Sequence, residues 1–233
     1  MFEFVFKMFS EGNAAIPAKG MGMIPLQLAQ GLSSSELIFN ESVTAIDGNQ
    51  VKTSFGSIHH STYILIATDQ QHLPVPFTQT AAACQSVTNM YFTADQPPFK
   101  RPMIALNTLP EKLVNNIAVM NQVSSEYAKG GKTLISVSLI GDRSGADAVK
   151  LEADVLREMA GWYPDAVNWE HLKTYTIKYA LPNDDQVCDN IPADAIRLTD
   201  QCFICGDHLM NGSINAAMKS GRLAAEAILK IMG

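Results

Sequence analysis

Charge is scarce in this sequence. Its 233 residues carry 17 Lys and Arg against 23 Asp and Glu, a formal charge of −6. That balance excludes the basic footprint by which nucleic-acid binders are known. No apolar run approaches the roughly 20 residues that a membrane-spanning helix needs. Cysteine is too sparse, at 4 residues, for a disulfide scaffold in a chain of this length. Cys202 and Cys205 do form a C-x-x-C, but within an apolar run that reads as a strand. Positions i and i+3 of a strand point to opposite faces, so the pair reads as two buried, reduced thiols rather than a redox or metal site. Cys84 and Cys188 are isolated, and the 5 histidines, His59-His60 included, show no ligand spacing, so no metal is expected. There is no H-E-x-x-H, no nucleophile elbow, no internal repeat and no low-complexity tract. Asp184-Asp185 reads as a solvated turn rather than a metal site, and Lys132 and Arg143, near strand ends, as surface residues rather than contacts for a substrate acid. No catalytic residue can be named.

What the chain has is apolar content, 47% against 17% charged, which marks a globular chain with room for one large or two small domains. Its most informative stretch is the C-terminal one. Phe203-Ile204-Cys205-Gly206-Asp207-His208 reads as a short apolar strand and a turn bearing one acid, and Ser213 to Met232 as a long helix. Ser213 is placed to cap that helix through its hydroxyl. Ile214, Ala217, Met218, Gly221, Ala225, Ile228 and Met232 recur at helical spacing on one face, and the small residues Ala216, Ala217, Ser220, Gly221, Ala224 and Ala225 let something approach the helix closely. A strand, a glycine turn and a helix N-terminus offer free N–H groups to an anion or an electron-rich ring edge. Asp207, just ahead of that end, can accept hydrogen bonds from hydroxyls.

The run Gly206-Asp207, Asn211-Gly212-Ser213-Ile214, Ala216-Ala217, Ser220-Gly221-Arg222 and Ala224-Ala225 resembles the C-terminal FAD motif of the flavin-dependent amine oxidase superfamily. Protoporphyrinogen oxidases and phytoene desaturase-like enzymes belong to it. Upstream, Pro17, Gly20-Met21, Ile24-Pro25 and Leu28 resemble its P-x-x-G-M-x-x-I-P segment, and Val43, Ile46, Val51 and Tyr63 to Thr68 its β-meander. The resemblance implies that Val43 pairs with adenine through its backbone and that Ala67 and Thr68 lie near the cofactor's phosphates. It implies that Gly206, Asp207, Gly212, Ser213 and Ile214 line the flavin and ribityl end. It also implies an FAD-dependent dehydrogenation of a small organic substrate such as an amine, a polyene or a tetrapyrrole-like compound. A non-catalytic α/β binding domain that keeps the scaffold without cofactor is the alternative. The setting expected is cytoplasmic, with a small-molecule substrate, no nucleic-acid partner and no integral membrane segment. Homo-oligomers are left open.

In chain order, Phe2, Val5, Phe6 and Phe9 read as the tail of an upstream helix, residues 1–13. Ile24 to Gly31 reads as a short helix. Glu36 to Phe39, Ser42 to Ile46, Gln50 to Ser54 and Thr62 to Ala67 read as strands. Asp47-Gly48-Asn49 is a hairpin signal, and Tyr63 to Thr68 reads as a strand buried on both faces. From Pro74 the texture changes to strands at Gln85 to Thr93, Met103 to Asn107, Asn116 to Met120, Thr133 to Ile140 and Glu170 to Tyr179. A helix begins at Ser144, with Ala148, Leu151, Val155 and Met159 buried and Gly161 ending it. The expected fold is α/β (α+β). Residues 14–73 and 198–233 form part of a Rossmann-like FAD-binding domain, and an antiparallel-sheet substrate domain, residues 74–197, is inserted between them.

One element of a dinucleotide site is missing. The Gly-x-Gly-x-x-Gly turn that lets backbone approach a pyrophosphate occurs nowhere in the sequence. Gly20-Met21-Gly22 is followed by Pro25, and Gly141 to Gly145 lacks the pattern. Family members carry that turn near their N-terminus. The chain is therefore expected to be the C-terminal part of a longer flavoenzyme, to be purified without FAD, and to be inactive alone.

Overall fold

The computed structural model describes residues 10, 12, 14–32, 36–78, 84–183, 188 and 190–233. The expected helix tail at Phe2 to Phe9 and the Asp184-Asp185 turn lie outside them. The chain divides into two compact units, one drawn from residues 1–12, 36–84 and 181–233, the other from 13–35 and 85–180.

In the first unit, β1 (Val43–Asp47) and β2 (Gln50–Thr53) form a hairpin, and β3 (Ile58–His60) extends it antiparallel. The turn works because Gly48 takes φ 59°, a left-handed conformation open to glycine at no steric cost. Strand β4 (Ile64–Ile66) pairs in parallel with β10 (Cys202–Ile204), so residues 138 apart by number meet in one ladder: Cys202 faces Ile64 and Ile204 faces Ile66. Alternation along β10 then sends side chains to opposite faces. Cys202 and Ile204 join Ile46, Ile64, Ile66 and Leu73. Phe203 and Cys205 join Ile191, Ile196 and Met210 beneath α3 (Ile214–Met232). Each buried side chain of this size contributes about 1.5–3 kcal/mol.

Two expectations fail in this unit. Glu36 to Phe39 is not a strand: among the described residues, none pairs with it in a ladder. The Tyr63 to Thr68 run is a strand only over Ile64–Ile66, and Leu65 is exposed, since the described parallel ladder has only 2 strands. The buried face of α3 is Ala216, Ser220 and Ala224, and the periodic positions Ile214, Met218, Ala225 and Met232 are exposed.

The second unit is a 5-stranded sheet in the order β6-β7-β8-β5-β9. Its strands are β5 (Cys84–Ala94), β6 (Ile104–Leu106), β7 (Val114–Val119), β8 (Thr133–Ile140) and β9 (Glu170–Pro182). The pairs β5–β8, β7–β8 and β6–β7 are antiparallel. Helix α2 (Ala148–Ala160) covers one face, burying Val155 and Met159 fully against Phe92, Ile117, Ile135 and Val137, with Leu151 partly buried as the stripe predicts. Gly161 ends it. Its cap is Asp147, which accepts from Lys150 N at 2.8 Å, rather than Ser144, whose backbone is held instead by Asp142. From the same helix, Glu158 accepts from Asn107 Nδ2 at 2.8 Å, Leu113 N at 2.9 Å and Val114 N at 3.2 Å, fastening the β6–β7 connection.

Helix α1 (Met23–Gln30) buries none of its residues, and the loop before it is tied by the Tyr127 hydroxyl, which donates to the Pro17 carbonyl at 2.7 Å. Residues 13–35 therefore group with the sheet unit, whereas the sequence reading puts them with 36–73. Lys132 sits at the surface, donating to Asp95, whose hydrogen bond and charge raise its pKa. No helix among the described residues is long and apolar enough to cross a membrane.

Cys202 and Cys205 are buried free thiols, and burial raises the pKa of both. The thiolate is the reactive form. A native titration with a disulfide reagent at pH 8 is expected to modify exposed Cys188 first and Cys84 more slowly. Cys202 and Cys205 should react only after denaturation. Rapid native reaction of all 4 would contradict the burial seen here.

Candidate functional site

Because β4 and β10 run in parallel, their carboxyl ends lie at the same edge of the ladder. Cys205 N donates to the Ile66 carbonyl at 2.9 Å, extending the pairing one step beyond β10. Ala67-Thr68 leaves one strand there and Gly206-Asp207 the other. In open α/β sheets, ligands bind outside the carboxyl ends of the strands.

Val43, Ala67 and Thr68 line one cavity of about 660 Å³, with Ile46, Ile64, Leu73 and Val75 as apolar wall. That volume falls within the range of about 300–1,000 Å³ usual for small-molecule sites. Polar groups at its margin are Glu41, Ser42, Thr44 and His72. Glu41 accepts from the Thr53 hydroxyl, and that hydrogen bond holds its carboxyl below the ordinary value. Sequence reasoning missed Glu41 and His72. Asp69 caps the turn after Thr68 by accepting from Gln71 N at 3.0 Å and His72 N at 3.1 Å, and it pairs with His72 Nδ1 at 2.7 Å. A D-x-x-H after an apolar strand is the signal that could have found this turn.

The other predicted residues, Gly206, Asp207, Gly212, Ser213 and Ile214, lie on the connection from β10 to α3 and do not line that cavity. Ser213 caps α3 as predicted. Its Oγ accepts from Ala216 N at 3.1 Å and donates to Asn211 Oδ1 at 2.7 Å. The N–H groups of Ile214 and Asn215 precede the first intrahelical bond, Ala217 N to Ser213 O, and so point out of the helix end.

Ser220, fully buried in α3, fixes the turn. Its Oγ accepts from Gly206 N at 2.9 Å and donates to the Ala217 carbonyl at 2.8 Å. A methyl on Gly206 would run into the His208 ring, and one on Gly212 would meet Leu181 Cδ2 at 2.9 Å, so both glycines serve close approach. Sequence reading had Ser220 as a small residue and a member of the resembling run, not as a hydrogen-bonding side chain. Its hydrogen bond spans 14 residues, beyond local pattern.

A family model described as flavin containing amine oxidoreductase matches residues 2–229. No curated protein matches. Among solved structures, a protein from Exiguobacterium sp. 255-15 described as a protoporphyrinogen oxidase aligns with TM-score 0.68 and 16% identity, over 90% of this chain and 51% of its own. Wild-type putrescine oxidase bound to putrescine aligns with TM-score 0.63 and 13% identity, over 90% and 53%. An oxidoreductase from Methanosarcina mazei gives 0.59 and 12%, over 80% and 48%. At such identities the likeness shows the fold. The chain spans about half the length of these structures.

Proposed function

The chain belongs to the flavin containing amine oxidoreductase family, and from that premise we propose that it contributes part of an FAD site in the oxidation of a small organic substrate, an amine or a polyene- or tetrapyrrole-like compound. The observation that carries this is the shared carboxyl edge of β4 and β10, which brings Ala67-Thr68 and Gly206-Asp207 to one end of a parallel ladder. The residues there suit the group. Val43, Ala67 and Thr68 open on a cavity large enough for part of a nucleotide, with Glu41 as an acceptor for hydroxyl or amino hydrogens. Asp207 offers a second acceptor, for ribityl hydroxyls. Ser213 holds the start of α3 so that Ile214 and Asn215 present free N–H donors. Ser220 satisfies the Gly206 N–H and sets the turn.

A bound flavin supplies the electron acceptor, and the protein supplies binding, orientation and electrostatics. In this reading the unit of residues 36–84 and 181–233 serves the cofactor and the sheet unit serves the substrate. The alternative is an α/β binding domain that keeps the scaffold without cofactor.

Hydrogen exchange at millimolar FAD separates the two. Protection is expected at 64–68 and at 204–216, several-fold in rate at both. No protection there, or protection confined to the sheet unit, would leave the scaffold reading standing.

A further inference from the structure

Strand β9 slips by one residue near its start. His171 looks toward α2, since its ring meets Phe92 at 5.5 Å and Phe92 lies in the core that α2 covers. Thr176 looks the same way, because its hydroxyl is 3.4 Å from that of buried Thr88, which shares a face of β5 with Met90 and Phe92. Tyr175 stands on the opposite face, against Tyr91 at 6.0 Å. Side chains of a regular strand alternate, so positions 171 and 176 share a face only if one extra residue intervenes. That residue falls at Leu172-Lys173, both exposed. Such bulges re-aim side chains and are common beside active sites.

The slip brings Thr174 to the side of His171. Thr174 Oγ1 lies 2.8 Å from His171 Nε2. Across the ring, His171 Nδ1 lies 3.6 Å from Glu152 Oε2 on α2, an ion-pair distance too long for a hydrogen bond. The carboxylate favours the ring proton on Nδ1, which leaves the Nε2 lone pair to accept the Thr174 hydroxyl. Hydroxyl, imidazole and orienting carboxylate therefore follow one another in the order that activates a nucleophile. All three are partly buried, and all three belong to the sheet unit.

We propose that Thr174, His171 and Glu152 form an acyl-transfer site for small aryl esters. Thr174 Oγ1 bonds to the ester carbonyl carbon as its proton passes to His171 Nε2. The acyl C–O bond breaks, and the phenol leaves with that proton. Water then adds to the acyl carbon and gives a proton to His171 Nε2. Thr174 Oγ1 departs and recovers the proton, and the carboxylic acid is released. Ester and water give acid and phenol, with no other reactant. Strand β9 ends the described sheet, and an edge strand presents N–H groups that no strand pairs. Those donors suit the carbonyl oxygen as it gains charge. The class follows from the surroundings. The threonine hydroxyl is secondary, which favours a short acyl group. The site opens beside exposed Leu172, where a leaving group gains little support, so a phenol departs more readily than an alkyl alcohol. Glu152 acts through His171 as a positioning residue. This goes beyond the flavin reading and needs no cofactor.

The test treats the whole chain, without flavin and with accessible thiols already alkylated, with para-nitrophenyl acetate. A burst of nitrophenol is expected, with an acetyl group on the peptide that carries Thr174, removable by hydroxylamine as an ester is. Thr174→Val, nearly equal in volume, should lose both burst and acetyl mark. Thr174→Ser should keep them and acylate at least as fast, since its hydroxyl is less hindered. His171→Gln should slow acylation roughly hundredfold, the contribution of a general base. Glu152→Gln should lower kcat about fivefold with KM unchanged, in keeping with a partly exposed ion pair, and Glu152→Asp should restore part of it. Acetyl groups found only at other positions of the unsubstituted chain would overturn the proposal. So would a full burst from Thr174→Val or an unreactive Thr174→Ser. FAD plays no part in the assay, so failure here and failure of the cofactor proposal are separate results.

Discussion

Phe92→Ala is expected to unfold the sheet unit at markedly lower denaturant, losing about 3–5 kcal/mol, the cost of removing a large ring from a packed core. Phe92 is fully buried near the C-terminal end of β5. Its ring meets Trp169 at 6.2 Å and His171 at 5.5 Å, so the substitution removes aromatic contacts as well as area. Alanine cannot fill the space, and the sheet and α2 are pinned by the Glu158 hydrogen bonds, which limit collapse around the cavity. Both tryptophans of the chain, Trp162 and Trp169, lie in this unit, so intrinsic fluorescence reports it alone. Leu172→Ala, at an exposed position of β9, serves as control and should stay within about 0.5 kcal/mol. A Phe92→Ala midpoint close to that of the control would show that the core is not organised around this ring.

Where sequence and structure agree, the signal is local. Asp47-Gly48-Asn49 marks a hairpin because Gly48 must turn left-handed, and the strict alternation from Thr133 to Ile140 gives β8 its full length. Ser213 caps α3 because its hydroxyl needs only the amide three residues on. The buried face of α3 was not legible for the opposite reason. Periodicity weights large apolar side chains, but this helix packs closely through Ala216, Ser220 and Ala224, which leaves Ile214 and Met218 about half exposed, at 47% and 48%. Small residues that allow close approach carry little hydropathy, and their pattern registers only as permission.

Glu36 to Phe39 misled similarly: β-prone side chains do not make a strand without a partner to complete the ladder. In the candidate site, the resemblance marked Val43, Ala67, Thr68 and the Gly206 to Ile214 run. The Ser220 tie to Gly206 and the Glu41 hydrogen bond to Thr53 depend on tertiary contacts that no local pattern encodes.

FAD added to the 233-residue chain is expected to bind weakly, with Kd above about 10 µM, equivalent to no more than roughly 7 kcal/mol. The residues present offer an acceptor at Asp207, donors at the start of α3 and the cavity beside Val43. They do not include a glycine-rich turn through which successive backbone N–H groups meet a pyrophosphate. Hydrogen bonds to charged groups contribute about 1.5–3 kcal/mol each. Three such contacts absent therefore remove roughly 4.5–9 kcal/mol, or about three to six powers of ten in affinity. Quenching of flavin fluorescence on titration measures this directly. Asp207→Ala should weaken the remaining binding by about tenfold, since a carboxylate accepting from ribityl hydroxyls is lost, while AMP, which lacks that part, should bind both proteins equally. Stoichiometric binding of FAD below micromolar concentration would show that the cradle is complete without the glycine turn. Equal loss of AMP and FAD on Asp207→Ala would move Asp207 from the ribityl end of the site to a structural role in the turn that Ser220 holds.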